Sequence, residues 1–243
     1  MLLNARDDLL GSKIQATDEN IGTLQDLLFD DLSWIVRYLV VDTGDWLPGR
    51  RVLLSPISVR SVDSGEKSVS VKLTAEQVEK SPPVDAHKTV SRQQETELSQ
   101  YYGWPAYWSA ETRTVPMGAV GMPGEVAPPI PPSVEAEDDR SGREEADPHL
   151  RSVNEVRGYH IEAQDGEIGH VKDFLINPDM WWVQSMVVDT RNWLPGKKVV
   201  VPPRQIDKVR WTERKVFVEM LRDELMASPE AAEILDEQRV IQE

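Results

Sequence analysis

The chain has no cysteine among its 243 residues. Disulfides, thiolate metal ligands and cysteine nucleophiles are therefore excluded, and a reducing compartment, the cytoplasm, is the expected location. No apolar run approaches the roughly 20 residues that a membrane-spanning helix requires. Residues 1–8 are also too few and too acidic for a secretory signal. These absences predict a soluble cytoplasmic protein that does not insert directly into a membrane.

Basic side chains are scarce: 27 lysines and arginines stand against 42 aspartates and glutamates, for a net charge of −15. An acidic chain repels phosphate backbones, so we expect no nucleic-acid partner. The excess of acid lies in residues 83–157 and in the tail from residue 230. The one local basic cluster is interpreted as a solvated strand face and consists of Lys208, Arg210, Arg214 and Lys215.

Catalytic signatures are missing as well, because no Walker, Rossmann or nucleophile-elbow spacing occurs. His160 and His170 lie on the two arms of a predicted hairpin, as cross-strand neighbours. Two imidazoles could bind a metal, but no third ligand is evident. We therefore predict no enzyme, no cofactor and no metal site. A metal-binding protein or enzyme that uses these two histidines remains an alternative.

What the chain does contain is a repeat of itself. Residues 11–82 align with residues 158–229 at a constant offset of 147 without a gap, and about 26 of the 72 aligned positions are identical. Two copies predict two small domains of one fold. Residues present in both copies are expected to serve the fold, whereas residues present in one copy are free to serve a function. The two histidines belong to the second kind, since the first copy has Lys13 and Thr23 there.

The strongest shared block reads Val-Val-Asp-Thr-x-x-Trp-Leu-Pro-Gly. Its aspartate, at the end of a predicted strand, could be a general base. Aspartate and threonine also hold the backbone of a following turn, and presence in both copies favours that structural role. The members of this structural motif are Asp42, Thr43, Trp46, Pro48 and Gly49 in the first copy, and Asp189, Thr190, Trp193, Pro195 and Gly196 in the second.

Each copy is predicted to form some six short strands that close as a small barrel, which removes the sheet edges. Residues 67–73 alternate strictly, so Val69 and Val71 are expected to face inward, as are Val216 and Val218 in the second copy. Thr74 is expected to cap a short helix. The predicted fold class is all-β, with two tandem small barrels, short helices and a flexible acidic Pro-rich linker.

The strand segments 39–41 and 186–188 are apolar on both faces. One face can fill a barrel interior, and the other needs cover from a helix, a loop or another subunit. We expect self-association or docking through this outer face, together with the aromatic residues that follow the first copy. A homodimer is slightly favoured over docking of the two copies on each other.

This order of elements, with a long strand ending in Val-Val-Asp-Thr, a Trp-Leu-Pro-Gly loop, a Val-rich strand and a final hairpin before Ser-Pro, resembles the PRC-barrel family. The resemblance covers both copies and is strongest to tandem bacterial PRC-barrel proteins. The family includes the cytoplasmic domain of the photosynthetic reaction centre H subunit and the C-terminal domain of the ribosome-maturation factor RimM. The resemblance implies a small β-barrel used as a docking module.

The segment between the copies has two parts. A polar helix is predicted over residues 87–102, leading into the aromatic cluster Tyr101, Tyr102, Trp104, Tyr107 and Trp108. These rings are expected to cover the open face of the first barrel, and a partner-binding patch is the alternative. Residues 112–148 are rich in proline, glycine and acid, which predicts a flexible linker that leaves the barrels independently mobile unless they dock. Proteolysis there should release two folded fragments.

The predicted boundaries are 1–83 for the first barrel, 84–110 for the helix and aromatic segment, 111–149 for the linker, 150–230 for the second barrel and 231–243 for an acidic C-terminal helix. The predicted function is a non-enzymatic protein-interaction or assembly module whose protein partner the sequence does not identify. An accessory at the membrane surface, like the reaction centre H subunit, is an alternative function.

Overall fold

The computed structural model of the protein describes residues 1–82, 90–105, 149–190 and 197–240. The elements of the first half are β1 (Leu3–Asn4), a helical turn (Ala5–Leu9), β2 (Lys13–Gln15), β3 (Asn20–Asp30), β4 (Val36–Asp42), β5 (Arg51–Leu54), a 3-10 turn (Pro56–Ser58), β6 (Val59–Asp63), β7 (Ser68–Val71), α1 (Ala75–Glu79) and α2 (Arg92–Tyr102). Those of the second half are β8 (Leu150–Ser152), α3 (Val153–Val156), β9 (His160–Ala163), β10 (Gly166–Asn177), β11 (Trp182–Asp189), β12 (Lys198–Val201), a 3-10 turn (Pro203–Gln205), β13 (Ile206–Arg210), β14 (Lys215–Val218), α4 (Arg222–Met226) and α5 (Ala231–Val240).

The two repeats fold alike, and the predicted all-β class is confirmed. Their strands follow the orders β5-β4-β3-β2-β7-β6 and β12-β11-β10-β9-β14-β13, with the β2–β7 and β9–β14 pairs parallel. The four valines predicted to face inward, at positions 69, 71, 216 and 218, are buried in the core. Local signals also hold: Thr74 and Gln77 form a capping box at α1, and Ser91 and Gln94 form one at α2.

The predicted closure of each barrel is wrong. Within the described residues β5 and β6 are opposite ends of one sheet and do not pair, and the same holds for β12 and β13. A 3-10 turn that begins with Pro56 or Pro203 links the two end strands, and a proline supplies no N–H to a ladder. The end strands have only four or five residues, which limits the exposed edge.

Each repeat donates a strand to the other. The N-terminal strand β1 pairs with β10 of the second repeat, and β8, which precedes the second repeat, pairs with β3 of the first. The helical turn at Ala5–Leu9 continues this contact onto β10, and α3 packs against β3. The two repeats are therefore docked, and seven strands in each sheet include one from the opposite half of the chain.

The contact between the repeats is symmetric at the β3–β4 and β10–β11 turns. Trp34 and Trp181, which occupy equivalent positions, both have a positive φ, 58° and 53°. The N–H of Val36 donates to the Trp181 carbonyl and the N–H of Val183 donates to the Trp34 carbonyl, each at 2.7 Å. Both indole rings are buried, in one hydrophobic core that contains residues of both repeats. The repeats thus form one body around a local twofold axis.

The apolar outer face of each repeat is covered by a helix of the same chain. Val40 on β4 lies in a buried cluster with Leu98 of α2, and Val187 on β11 lies in a buried cluster with Ala231 of α5. The expectation that this face docks a second subunit or the other repeat is therefore wrong. Each covering helix follows its repeat in sequence. The short tether gives the helix a high local concentration at this face, which favours it over a separate partner.

Candidate interaction site

Side chains of the Asp-Thr block contact the backbone of the loop that follows the long strand. The Asp42 carboxylate accepts the N–H of Gly44 at 3.0 Å, and the Thr43 hydroxyl lies 2.6 Å from the carbonyl of Arg50. In the second repeat the Thr190 hydroxyl lies 2.9 Å from the carbonyl of Lys197, the equivalent of Arg50. These side chains serve backbone structure in both copies.

The structure describes the remaining members of the block in the first repeat. Trp46 is half-buried and packs on the core, which fixes the loop to the sheet. Pro48 and Gly49 are exposed, and Gly49 has a φ of 77°, which favours glycine. Trp193, Pro195 and Gly196 of the second repeat lie outside the described residues.

Two further shared positions have roles that sequence reasoning missed. Asp18 accepts the N–H of Ala75 and Asp165 accepts the N–H of Arg222, each at 2.9 Å, so each hairpin carboxylate caps a short helix 57 residues later. A Cβ on Gly22 would lie 2.2 Å from the Asp42 carbonyl oxygen, and one on Gly169 would lie 2.0 Å from that of Asp189. The repeat pattern marked all four positions, but their partners are distant in sequence.

Asp26 and Asp173 are equivalent carboxylates at the contact between the repeats. Asp173 accepts the N–H of Arg6 at 3.1 Å, and Asp26 accepts the N–H of Asn154 at 3.2 Å. Each donor lies just after the strand that the opposite half of the chain contributes. Burial raises the pKa of Asp173 to about 6 and also raises the pKa of Asp26.

Three members of the aromatic cluster pack on the chain itself. The Tyr102 ring stacks on Trp104 with centroids 4.1 Å apart, and both rings contact the cluster beneath α2. The Tyr101 hydroxyl donates to the carbonyl of Gln77 at 2.9 Å, which ties α2 to α1. Burial raises the pKa of Tyr102 to about 12. This geometry favours the covering role, while Tyr107 and Trp108 lie outside the described residues.

The histidine pair lies where the sequence predicts it, since His160 and His170 are direct partners across β9 and β10. His160 Nδ1 lies 3.0 Å from a Glu167 carboxylate oxygen. In the described part of the chain, no three histidine, cysteine or acidic side chains are arranged to hold a metal ion.

The basic cluster of the second repeat is engaged by nearby acids and rings. Lys215 contacts Glu162 at 2.7 Å and Arg210 contacts Glu213 at 3.0 Å. The guanidinium of Arg214 lies over the Tyr159 ring at 5.3 Å. Lys208 lies 3.9 Å from Asp207. These contacts agree with the interpretation of a solvated strand face.

A groove of about 660 Å³ lies between the two repeats, along β6. One wall is β6 with the preceding turn, and the other is the β10–β11 turn of the second repeat, where Trp181 and Asp179 lie. The lining residues are Pro56, Ile57, Val59, Arg60, Ser61, Val62, Lys72, Pro105, Pro178, Asp179 and Trp181. Both repeats are needed to form this groove, which the sequence did not predict.

Fold and groove together define an all-β protein in which two copies of one small domain form a single body with a shared cleft. The family model of the PRC-barrel domain matches residues 3–78. The second repeat lies outside the matched range and has the same strand order. A search of the curated proteins gives no match. Among the described helices, none combines the length and apolar character needed to cross a bilayer.

Proposed function

We propose that this protein is a non-enzymatic protein-interaction module of the cytoplasm, in which two PRC-type repeats form one docking platform. The observation that carries the proposal is the groove that both repeats build along β6. A cleft with apolar walls and a few polar groups is a common form of binding site. The partner is a protein, and the proposal includes neither nucleic acid nor a cofactor.

The repeat itself supports this assignment. Polar residues shared by both copies bind backbone groups of the chain, as Asp18, Asp165 and Thr43 do. The groove residues, in contrast, include positions at which the two copies differ. Residues that differ between copies are free to specify a partner.

Site-specific photo-crosslinking tests the proposal. Ser61 lines the groove, and its equivalent in the second repeat is Lys208. A benzoylphenylalanine at either position, in a tagged full-length chain expressed in the native host, reports what touches each surface. We expect a protein to crosslink at position 61 and to copurify at a stoichiometry near one. Absence of any copurifying or crosslinked protein would refute the interaction module.

The same experiment tests narrower hypotheses. Crosslinks to reaction-centre polypeptides would assign the H-like accessory role, and crosslinks to the same chain would show a homodimer. A partner that crosslinks at position 208 and not at 61 would keep the interaction module and reject the groove as its site.

A further inference from the structure

We propose that the groove along β6 binds an extended, acidic peptide segment of a partner protein, which adds a strand to the β6 edge. The inference rests on the proposed function and adds the chemistry of the partner. Three observations carry it: the open strand edge, the cationic side chains beside it, and their replacement by acids in the second repeat.

The groove follows the edge of a strand rather than one of its faces. Four consecutive residues of β6, positions 59 to 62, line it. Successive side chains of a strand point to opposite faces of the sheet, so a groove that touches all four runs beside the backbone. Among the described strands β6 pairs with β7 alone. Its other side therefore offers main-chain groups to an added strand, a known mode of peptide recognition.

The charges at the groove favour an acidic strand. Arg60 is exposed, and among the described residues it has no hydrogen-bond or ion-pair partner. Lys72 is exposed too, and its ammonium donates to the carbonyl of Ile57 at 3.3 Å. Asp179 stands on the opposite wall, so carboxylates of the ligand would face β6. In a chain of net charge −15, two cations at an open edge select for acid.

The second repeat provides an internal comparison. At the offset of 147, Arg60 becomes Asp207 and Lys72 becomes Glu219, both exposed. The apolar positions persist, as Val62 becomes Val209. Arg204 stands at the position of Ile57 and Lys208 at that of Ser61, so the second repeat has two cations against two carboxylates at these four positions, whereas the first repeat has two cations and no carboxylate. The fold thus accepts either sign of charge at the positions of Arg60 and Lys72. The cationic side chains occur in the first repeat, where they line the groove.

The test uses the full chain and a fluorescent octapeptide of alternating glutamate and valine. Its controls are the lysine–valine counterpart and the glutamate–valine peptide N-methylated at alternate residues, which cannot complete a ladder. We expect the first peptide to bind and both controls to fail in fluorescence anisotropy. Backbone amides at 59–63 should then exchange more slowly with deuterium. Equal binding of the N-methylated peptide, or no binding of the first, would overturn the proposal.

Charge variants identify the surface. The double variant Arg60→Asp and Lys72→Glu places second-repeat charges in the groove, so it should fold, and it should weaken binding by about tenfold or more. The control Lys198→Glu and Arg204→Glu changes the net charge equally on the second repeat and should leave binding within about twofold. If both variants weaken binding equally, the effect comes from the net charge of the protein and not from the groove, which would overturn the proposal. If the groove variant retains the photo-crosslinked partner, the interaction module stands and the acidic-strand inference fails.

Discussion

Asp26 and Asp173, at equivalent positions of the two repeats, hold the exchanged segments. Each carboxylate is buried and accepts an N–H from the segment that the other half of the chain contributes. Such hydrogen bonds favour the ionised form, but burial outweighs them in both cases, and the pKa rises. A buried acid of this kind makes the stability of the repeat contact depend on pH.

We predict the sign of that dependence for Asp173. Its pKa is about 6 in the folded chain against 3.8 for the free side chain, so the folded state holds the proton more tightly. Protonation of Asp173 therefore stabilises the folded state. This stabilisation is fully present below pH 3.8 and is lost as the pH rises through about 6. In urea unfolding, the difference between the native chain and Asp173→Asn should fall by about 2 kcal/mol from pH 4 to pH 7.

The control for that measurement is Asp45→Asn, which changes an exposed loop carboxylate. It removes one carboxylate from an exposed position, so the pH-dependent change of Asp173→Asn beyond that of this variant reports the buried carboxyl. A difference for Asp173→Asn that stays constant, or that grows with rising pH, would contradict the assigned environment of this carboxyl.

At the residue scale the repeat identified the right positions but not their partners. The sequence marked Asp18, Asp42 and Gly22 as structural because both copies have them, and the structure places each in contact with the backbone. The partner of Asp42 is two residues away, so turn chemistry predicted it. The partner of Asp18 is 57 residues away, and local patterns carry no information on such a distance.

At the element scale the exchanged strands decide how the repeats fit together. β1 has two residues and β8 has three, yet each completes the sheet of the other repeat. Strands this short show no alternation, which is why the sequence did not reveal them. Longer strands and capped helices were predictable, because periodicity and capping boxes are local. Barrel closure was not predictable from local patterns, because it depends on whether two end strands that are distant in the sheet pair with each other.

Removing the first exchanged segment should loosen the second repeat. In a chain that lacks residues 2–9, β10 loses a strand partner and a packed helical turn. We expect faster hydrogen exchange at residues 173–177, far from the deletion in sequence, as measured by mass spectrometry. Arg6→Ala is the control, because it keeps the backbone N–H that Asp173 accepts. Faster exchange confined to residues 10–30 would show that the segment stabilises the first repeat alone.

At the scale of the whole molecule, the described residues of the two repeats form one body, with a helix over the outer face of each repeat and an open groove between them. The sequence predicted the two copies, their class and the need to cover an apolar strand face. It favoured a second subunit as the cover, since hydropathy does not distinguish a helix of the same chain from another molecule. Residues of both repeats line the groove, so no sequence pattern within one repeat could predict it.

The most direct test of the central claim is to express the two halves as separate chains. Residues 1–111 with an affinity tag and residues 149–243 without one are coexpressed and purified without denaturant. If the halves exchange β1 and β8, they should copurify in equal amounts as one particle, and removal of residues 2–9 from the tagged half should weaken the pair. Recovery of the tagged half alone, folded and with no second half attached, would contradict the account.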